Sequence, residues 1–262
     1  MLTKFKNVLK YIALVFIVYM CVSVFSSQAN PLPVPSESRQ DNAGQRNVDQ
    51  AVPTTEESEE EEDPENPYIR KVLIIGDSMT GWLGQRLQAY GDVNGFEVAT
   101  VYWDGSTLQK WAETPRLAKV ISEFDPDVVF VSLGMNNIFE RDPERNLKTS
   151  FNKILSTIGD RYYVWIGPPN WPGKDGGKVL VDWLREKNGE GNFFDSFNLE
   201  IQRASKTNIH PTKEGSIFWM EKFLDWIWDE TDLNFKSLDY PAPDAVRKGP
   251  VYIYKRMKET LN

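Results

Sequence analysis

The 262-residue sequence contains a single cysteine and a single histidine, and these two scarcities exclude several kinds of chemistry. The cysteine, Cys21, lies in an apolar N-terminal stretch, so the rest of the chain has no disulfide, no thiolate nucleophile and no cysteine-based metal site. One histidine cannot build a His-rich zinc site. If a serine nucleophile here needs an imidazole base, only His210 can supply it.

The sequence has no net charge outside one short acidic run. The formal net charge is −8, from 38 acidic and 30 basic residues. Eight of the acids lie within residues 56–65, and the rest of the chain is therefore balanced (38 − 8 = 30 acids against 30 bases). The sequence has no basic stripe with interleaved aromatic residues, and we expect no nucleic-acid partner.

Residues 1–29 have the pattern of a signal peptide or membrane anchor. Lysines precede an apolar stretch from Tyr11 to Phe25, and Ser27 and Ala29 provide a small-residue cleavage site. We predict cleavage after Ala29, with retention as an N-terminal membrane tether as the alternative. Because lysines precede the stretch and none follow it directly, the domain is expected outside. The predicted location is periplasmic, cell-surface or secreted.

Composition divides the remaining chain into three parts. Residues 30–68 are rich in Pro, Ser, Gln, Asn and Glu and lack periodicity, which is typical of a disordered acidic tether. Residues 69–229 carry the periodic apolar pattern of one folded domain. Residues 230–262 contain several prolines and no clear period, and the sequence assigns them no role. A strap on the surface of the domain is one interpretation of this C-terminal extension.

Apolar runs alternate with helical patterns through the folded domain. The first run, Val72 to Ile75, is followed by a helical stripe that includes Trp82, Leu83 and Leu87 and is expected to end at Gly91. Such alternation predicts right-handed βαβ crossovers, and hence an α/β fold: a three-layer α/β/α sandwich with a mostly parallel, flavodoxin-like sheet of about five strands. The five predicted strands are 72–75, which Gly76 closes, 96–102, 128–133, 162–166 and a short one at 192–195.

Polar residues follow several of the predicted strands. Ser78 lies at a strand-to-helix turn, and Gly105 and Asn136 follow the second and third strands. The carboxyl edge of a parallel sheet is where open α/β folds bind ligands, and unpaired N–H groups at a helix start favour negative charge. The alternative for the first turn is that Asp77 and Ser78 only cap the helix.

Four short motifs resemble those of the GDSL/SGNH hydrolase superfamily, in the same order and at similar spacing over roughly residues 70–228. They are Gly76-Asp77-Ser78, Gly105, Gly134-Met135-Asn136 and His210-Pro211-Thr212. The resemblance implies that Ser78 attacks an ester carbonyl and that His210 accepts its proton and returns it to the leaving alcohol. It also implies an oxyanion hole made of the N–H groups of Ser78 and Gly105 and the Asn136 amide. No cofactor and no metal are implied.

One position departs from the family pattern. The superfamily usually has an aspartate three residues before the histidine to orient the imidazole, and here that residue is Thr207. The sequence leaves three alternatives open: a Ser–His dyad oriented by a backbone carbonyl, orientation by another acid such as Asp195, or a non-catalytic relative.

The resemblance and the export signal together predict an exported serine esterase acting on small acyl esters, above all O-acetyl groups, of a carbohydrate. A polysaccharide O-acetyltransferase and a catalytically dead carbohydrate-binding domain are the alternatives. Trp103 and Trp171 follow predicted strands and are candidates for a substrate wall, with ordinary packing as the alternative. The expected partner is an acylated carbohydrate or another small ester.

Overall fold

A computed structural model of the protein describes residues 66–174, 176–205, 207–249 and 254–256. The predicted signal peptide or anchor, and the predicted tether up to residue 65, lie outside the described residues. Within the described ranges, none of the helices has both the length and the apolar character needed to cross a bilayer.

Strands and helices alternate along the domain, with one 3₁₀ turn at Met135–Asn137. The strands are β1 Lys71–Gly76, β2 Glu97–Tyr102, β3 Val128–Ser132, β4 Tyr162–Ile166, β5 Phe193–Phe194 and β6 Tyr254–Arg256. The helices are α1 Thr80–Asn94, α2 Leu108–Glu113, α3 Arg116–Phe124, α4 Pro143–Asn146, α5 Lys148–Ile158, α6 Lys178–Asn188 and α7 Lys213–Glu230.

The strands form one parallel sheet in the order β5-β4-β3-β1-β2-β6. Without β6, this is the flavodoxin-like order, and the predicted α/β sandwich is confirmed. In the central strand β1, Gly76 is aligned with Tyr102 on one side and Ser132 on the other. The loops after β1, β2 and β3 therefore leave the sheet at the same edge.

Alternate residues of β1 enter two apolar layers, one on each face of the sheet. Leu73 and Ile75 pack in the layer under α2, α3, α5 and α6. Val72 and Ile74 pack in the layer under α1 and α7. A strand buried on both faces explains why its sequence is continuously apolar instead of alternating.

The predicted end of α1 at Gly91 is wrong. The helix continues to Asn94 and is capped by Gly95 in the left-handed conformation, with φ at 78°. Gly91 is buried within the helix, where a Cβ atom would lie 2.4 Å from the carbonyl oxygen of Phe96. This glycine therefore permits close packing of the helix against the start of β2.

Residues 231–249, here called the C-terminal strap, run along α1 after α7 ends. Phe235 is buried, and its ring packs edge-on against Phe96 with 5.3 Å between centroids. Near the same point, Asn234 accepts a hydrogen bond from the backbone of Ile69. Farther along, the backbone N–H of Arg247 donates to the carbonyl of Gln85. The strap thus follows the helix toward the carboxyl edge of the sheet, before β6 pairs with β2.

A buried arginine of α1 holds the strap in place. The side chain of Arg86 is fully buried, and its Nη1 donates to the carbonyl oxygens of Ala242 at 2.7 Å and Ala245 at 2.9 Å. Its Nη2 donates to Glu221 Oε1 of α7 at 2.5 Å. The guanidinium also lies over the Tyr90 ring, 5.2 Å from its centroid. One side chain therefore joins two helices and the strap.

Candidate active site

The nucleophile candidate Ser78 lies in the turn between β1 and α1. Asp77 accepts a hydrogen bond from Met79 N through Oδ1 at 3.0 Å, and its own N–H donates to the carbonyl of Ser132 at 3.2 Å. Gly76 allows this close approach, because a Cβ there would lie 2.2 Å from the Ser132 oxygen. Asp77 therefore pairs with the backbone at the start of the helix, while the Ser78 hydroxyl is directed elsewhere.

The hydroxyl of Ser78 meets the only histidine of the chain. Ser78 Oγ and His210 Nε2 are 3.0 Å apart, although 132 residues separate them in sequence. This is hydrogen-bond reach for a base that activates a serine. His210 precedes α7, which begins after Thr212, whose Oγ1 accepts from Gly215 N at 3.0 Å.

A second arginine fixes the loop that carries His210. Arg203 Nε donates to the carbonyl of Ile209 at 3.2 Å, and its Nη2 donates to the carbonyl of Asn170 at 2.9 Å. Arg203 also forms an isolated antiparallel bridge with Pro211. The loop before the histidine is therefore tied to the loop after β4.

The predicted oxyanion donors lie on two loops that are hydrogen-bonded to each other. Gly105 has a φ of 68°, which favours glycine, and the side-chain amide of Asn136 donates to the carbonyl of Ser106 at 2.8 Å. The next residue, Asn137, accepts from Leu108 N through Oδ1 at 3.1 Å. These bonds fix the orientation of the Asn136 amide.

Ser78, Gly105, Asn136 and His210 line one open cavity of about 640 Å³. The structure therefore brings together all four residues expected at the reaction centre. The other lining residues are Gly81, Trp82, Gln85, Tyr102, Asp104, Ile209 and Lys248. Within the described ranges, no three His, Cys, Asp or Glu side chains are grouped so as to hold a metal ion.

Neither residue proposed to orient the imidazole is bonded to it. Thr207 Oγ1 lies 3.3 Å from Ser205 Oγ, and the Asp195 carboxylate binds Arg185 and accepts from Phe197 N at 2.9 Å. Asp195 is not brought to His210 because its two oxygens are engaged at the end of β5. Among the described residues, no side chain or carbonyl accepts a hydrogen bond from His210 Nδ1, so a backbone carbonyl does not orient it either.

The two tryptophans proposed as a substrate wall do not line the cavity around Ser78. Trp103 packs against the layer under α2, with Lys110 Nζ 5.3 Å from its ring centroid. Trp171 lines a second cavity of about 590 Å³, which shares Asn136 with the first. The substrate-wall prediction therefore fits Trp171 better than Trp103.

Seven residues that line the catalytic cavity are not among the predicted site residues, and two of them, Trp82 and Lys248, show why. The apolar pattern places Trp82 in the same helical stripe as Leu83 and Leu87. In the structure these two leucines are buried, whereas Trp82 is 42% exposed and lines the cavity. Trp82 comes four residues after Ser78, about one helical turn, and this spacing is a sequence signal that it lies near the nucleophile. Lys248 belongs to the C-terminal strap, and the sequence of the strap has no periodic pattern from which its position could be predicted.

Burial strongly perturbs the carboxyl group next to the nucleophile. Asp77 is 1% exposed, and desolvation raises the pKa of its carboxyl from 3.8 to about 7, while backbone N–H groups of Met79 and Met135 offset part of the rise. Its Oδ2 has no hydrogen-bond partner among the described residues. The charged form of Asp77 is therefore disfavoured in the folded protein.

This perturbation predicts a pH-dependent loss of stability. Because the pKa is higher folded than unfolded, stability from neutral Asp77 is fully present below about pH 4 and falls as pH rises to about 7. The total fall should not exceed about 4 kcal/mol. Urea unfolding from pH 4 to 8 should show this slope in the wild type and a flatter one in Asp77→Asn. Parallel pH profiles for the two proteins would contradict the assignment.

Sequence comparison now identifies the class of protein to which this site belongs. The profile of the GDSL-like Lipase/Acylhydrolase family matches residues 74–216, more than half of the chain. The chain belongs to this family, and the resemblance to GDSL/SGNH hydrolases is confirmed. The family places the protein among the carboxylic ester hydrolases as a class. Comparison with curated proteins gives no match.

Several solved structures of bacterial proteins show similarity to this chain. A lipase/acylhydrolase from Enterococcus faecalis is 19% identical, with 61% of this chain and 95% of that chain covered and a TM-score of 0.45. An acetyl xylan esterase from Geobacillus stearothermophilus is 17% identical, with coverages of 63% and 97% and a TM-score of 0.42. The catalytic domain of a peptidoglycan O-acetyltransferase from Streptococcus pneumoniae is 14% identical, with coverages of 62% and 97% and a TM-score of 0.44. Similarity at this level says nothing about the substrate.

Proposed function

We propose that this protein is an exported serine esterase that removes small acyl groups, above all O-acetyl groups, from a carbohydrate. The observation that carries the proposal is the 3.0 Å contact between Ser78 Oγ and His210 Nε2 in an open cavity. Gly105 and Asn136 line the same cavity, and their donors suit the charge that develops on an attacked ester.

The proposed reaction has two halves. Ser78 Oγ attacks the ester carbonyl as His210 Nε2 takes the hydroxyl proton, and the N–H groups of Ser78 and Gly105 and the Asn136 amide bind the oxyanion. The intermediate collapses when His210 returns the proton to the departing alcohol, which leaves Ser78 acylated. Water then attacks the acyl-enzyme with His210 as base, and the carboxylic acid leaves as Ser78 regains its proton.

The carbohydrate part of the proposal is supported by the surroundings of the reaction centre. Trp82 and Trp171 line the two cavities that meet at Asn136, and aromatic faces offer apolar area to sugar rings. An acetyl group needs little of this space, so most of it would hold the alcohol part of the ester. The N-terminal segment supports export.

A catalytically dead carbohydrate-binding domain is the second candidate. The observation that favours it is the missing acceptor for His210 Nδ1 among the described residues, since Thr207 occupies the position of the usual aspartate. Without a partner on Nδ1, the imidazolium formed during attack is less stabilised.

A fluorophosphonate probe separates the two candidates. The wild type should be labelled and should hydrolyse p-nitrophenyl acetate, and Ser78→Ala should lose both labelling and hydrolysis. Ser122→Ala, which replaces an exposed serine of α3, serves as the matched control and should behave as wild type. A wild-type protein that is neither labelled nor active would favour the dead domain.

Export can be tested without measuring esterase activity. N-terminal sequencing of the protein isolated from its native host should yield a chain that begins at Asn30. An intact N-terminus in the membrane fraction would indicate retention as an anchor, and a full-length cytosolic protein would overturn the export proposal.

A further inference from the structure

We infer that the second cavity is a subsite for an acidic sugar, so that the enzyme prefers esters carried on anionic glycans. This inference rests on the proposed function, because it names the substrate class of the same esterase. The cavity has a volume of about 590 Å³ and its lining includes Phe139, Arg141, Trp171 and Lys174.

The second cavity adjoins the catalytic one at a shared residue. Asn136 lines both, and the 3₁₀ turn Met135–Asn137 therefore lies between the reaction centre and the subsite. When the acyl group of a glycan lies at Ser78, the sugar that carries it can extend across the Met135–Asn137 turn into the second cavity. One substrate can thus occupy both spaces, and the subsite acts on the affinity for the same molecule that is cleaved.

Two aromatic rings form one wall of the subsite. The rings of Phe139 and Trp171 lie 5.3 Å apart at 47°, and Phe139 is 42% exposed. Their faces offer apolar contact to the C–H faces of a sugar ring. This contact does not depend on the charge of the sugar, so it sets general affinity for a glycan.

A lysine held over both rings provides the charge preference. Lys174 Nζ lies 4.9 Å from the Trp171 centroid and 5.4 Å from the Phe139 centroid. No carboxylate of the described residues forms an ion pair with this ammonium group. Cation–π contacts hold the ammonium in the cavity without neutralising it. It is therefore available to a negatively charged ligand.

Among the described residues that line the cavity, cations outnumber acids. Arg141 supplies a second cation beside Lys174, and Glu140 is the one acid of this described lining. Glu140 Oε1 accepts hydrogen bonds from the backbone N–H of Arg141 and of Asp142 and from Asn146 Nδ2, each at 2.9 Å. One oxygen of Glu140, Oε1, is thus directed at the start of α4. The ammonium of Lys174 lies over the two rings that would hold the sugar, where it can meet a uronate carboxylate.

The test compares two acetylated glycans, polygalacturonate oligomers as the anionic substrate and xylan oligomers as the neutral one. Wild-type kcat/KM should be higher on the anionic substrate than on the neutral one. Raising the salt concentration about fivefold, from about 0.1 M to about 0.5 M, shortens the screening length and should lower the ratio of the two kcat/KM values. Lys174→Gln should lower that ratio about tenfold, mainly through KM. Trp171→Ala should lower kcat/KM on both glycans. Lys119→Gln, an exposed lysine of α3, is the matched control and should keep the wild-type ratio.

An unchanged ratio in Lys174→Gln would overturn the inference, as would a wild type that prefers the neutral glycan. Failure of the proposed function looks different, because the wild type would then hydrolyse neither glycan and not p-nitrophenyl acetate. In that case calorimetric titration of Ser78→Ala with unacetylated polygalacturonate oligomers still tests the subsite. Binding that Lys174→Gln weakens would support it, and absence of binding would reject it.

Discussion

Replacing Asn136 by alanine is expected to lower kcat about 10²–10³-fold while KM changes little. The reason is geometric: the Asn136 amide is held by its bond to the Ser106 carbonyl at 2.8 Å and lines the cavity beside Ser78. Its free N–H would meet a charge that exists only in the transition state. Steady-state kinetics on p-nitrophenyl acetate measures the effect.

Asn136→Asp is the matched control for shape. It keeps the size of the side chain but replaces the N–H donor by a carboxylate oxygen, so it should lose at least as much turnover as the alanine variant. Both variants should retain the wild-type melting temperature within a few degrees if the loop stays in place. A normal kcat with a raised KM in Asn136→Ala would show that this residue contacts the ground state instead.

Replacing Arg86 by alanine should lower the free energy of unfolding by about 2–4 kcal/mol. The fully buried guanidinium donates to the carbonyls of Ala242 and Ala245 and to the carboxylate of Glu221. Its removal takes a donor from each, although the Ala242 carbonyl keeps its bond from the Ala245 N–H at 2.9 Å. The side chain of Glu221 keeps 25% of its surface accessible, so water can partly solvate its carboxylate, and most of the cost comes from the partly buried carbonyl of Ala245 and the lost packing of the arginine. Urea unfolding measures the loss, and limited proteolysis should show earlier cleavage in the strap.

Two further variants show whether charge or geometry is responsible. Arg86→Lys keeps the positive charge but cannot reach all three acceptors, so it should fall between wild type and Arg86→Ala. Arg116→Ala removes an exposed arginine at the start of α3 and should change stability by no more than about 0.5 kcal/mol. A loss below about 1 kcal/mol in Arg86→Ala would mean that the strap is held mainly by other contacts, such as the packing of Phe235.

The central strands could be predicted because their signal is local. Branched aliphatic runs bounded by glycine, proline or aspartate mark β1 and β3, and burial on both faces keeps those runs continuous. Strand β6 could not be predicted, because three residues, Tyr254–Arg256, carry no periodicity and the strand forms by pairing with β2. The end of α1 was misplaced because Gly91 looks like a cap in sequence but serves tertiary packing.

The reaction centre was accessible to sequence reasoning for a different reason. With one histidine in the chain, the partner of Ser78 was restricted to His210 as soon as a serine nucleophile was assumed. The orientation of that histidine was not accessible, since it depends on which groups the loop before α7 can reach. Asp195 illustrates the difficulty, because Arg185, ten residues earlier, engages its carboxylate.

The position of Lys248 also has an evolutionary consequence. This residue lines the catalytic cavity, yet it lies outside residues 74–216, the part that matches the family. Some relatives would share the nucleophile, the oxyanion loops and the histidine but differ after residue 230. In these proteins the same catalytic residues would lie in a cavity lined by different side chains. Substrate range can therefore diverge through the tail of the chain while the catalytic motifs stay fixed, and an alignment confined to the shared region would not record the change.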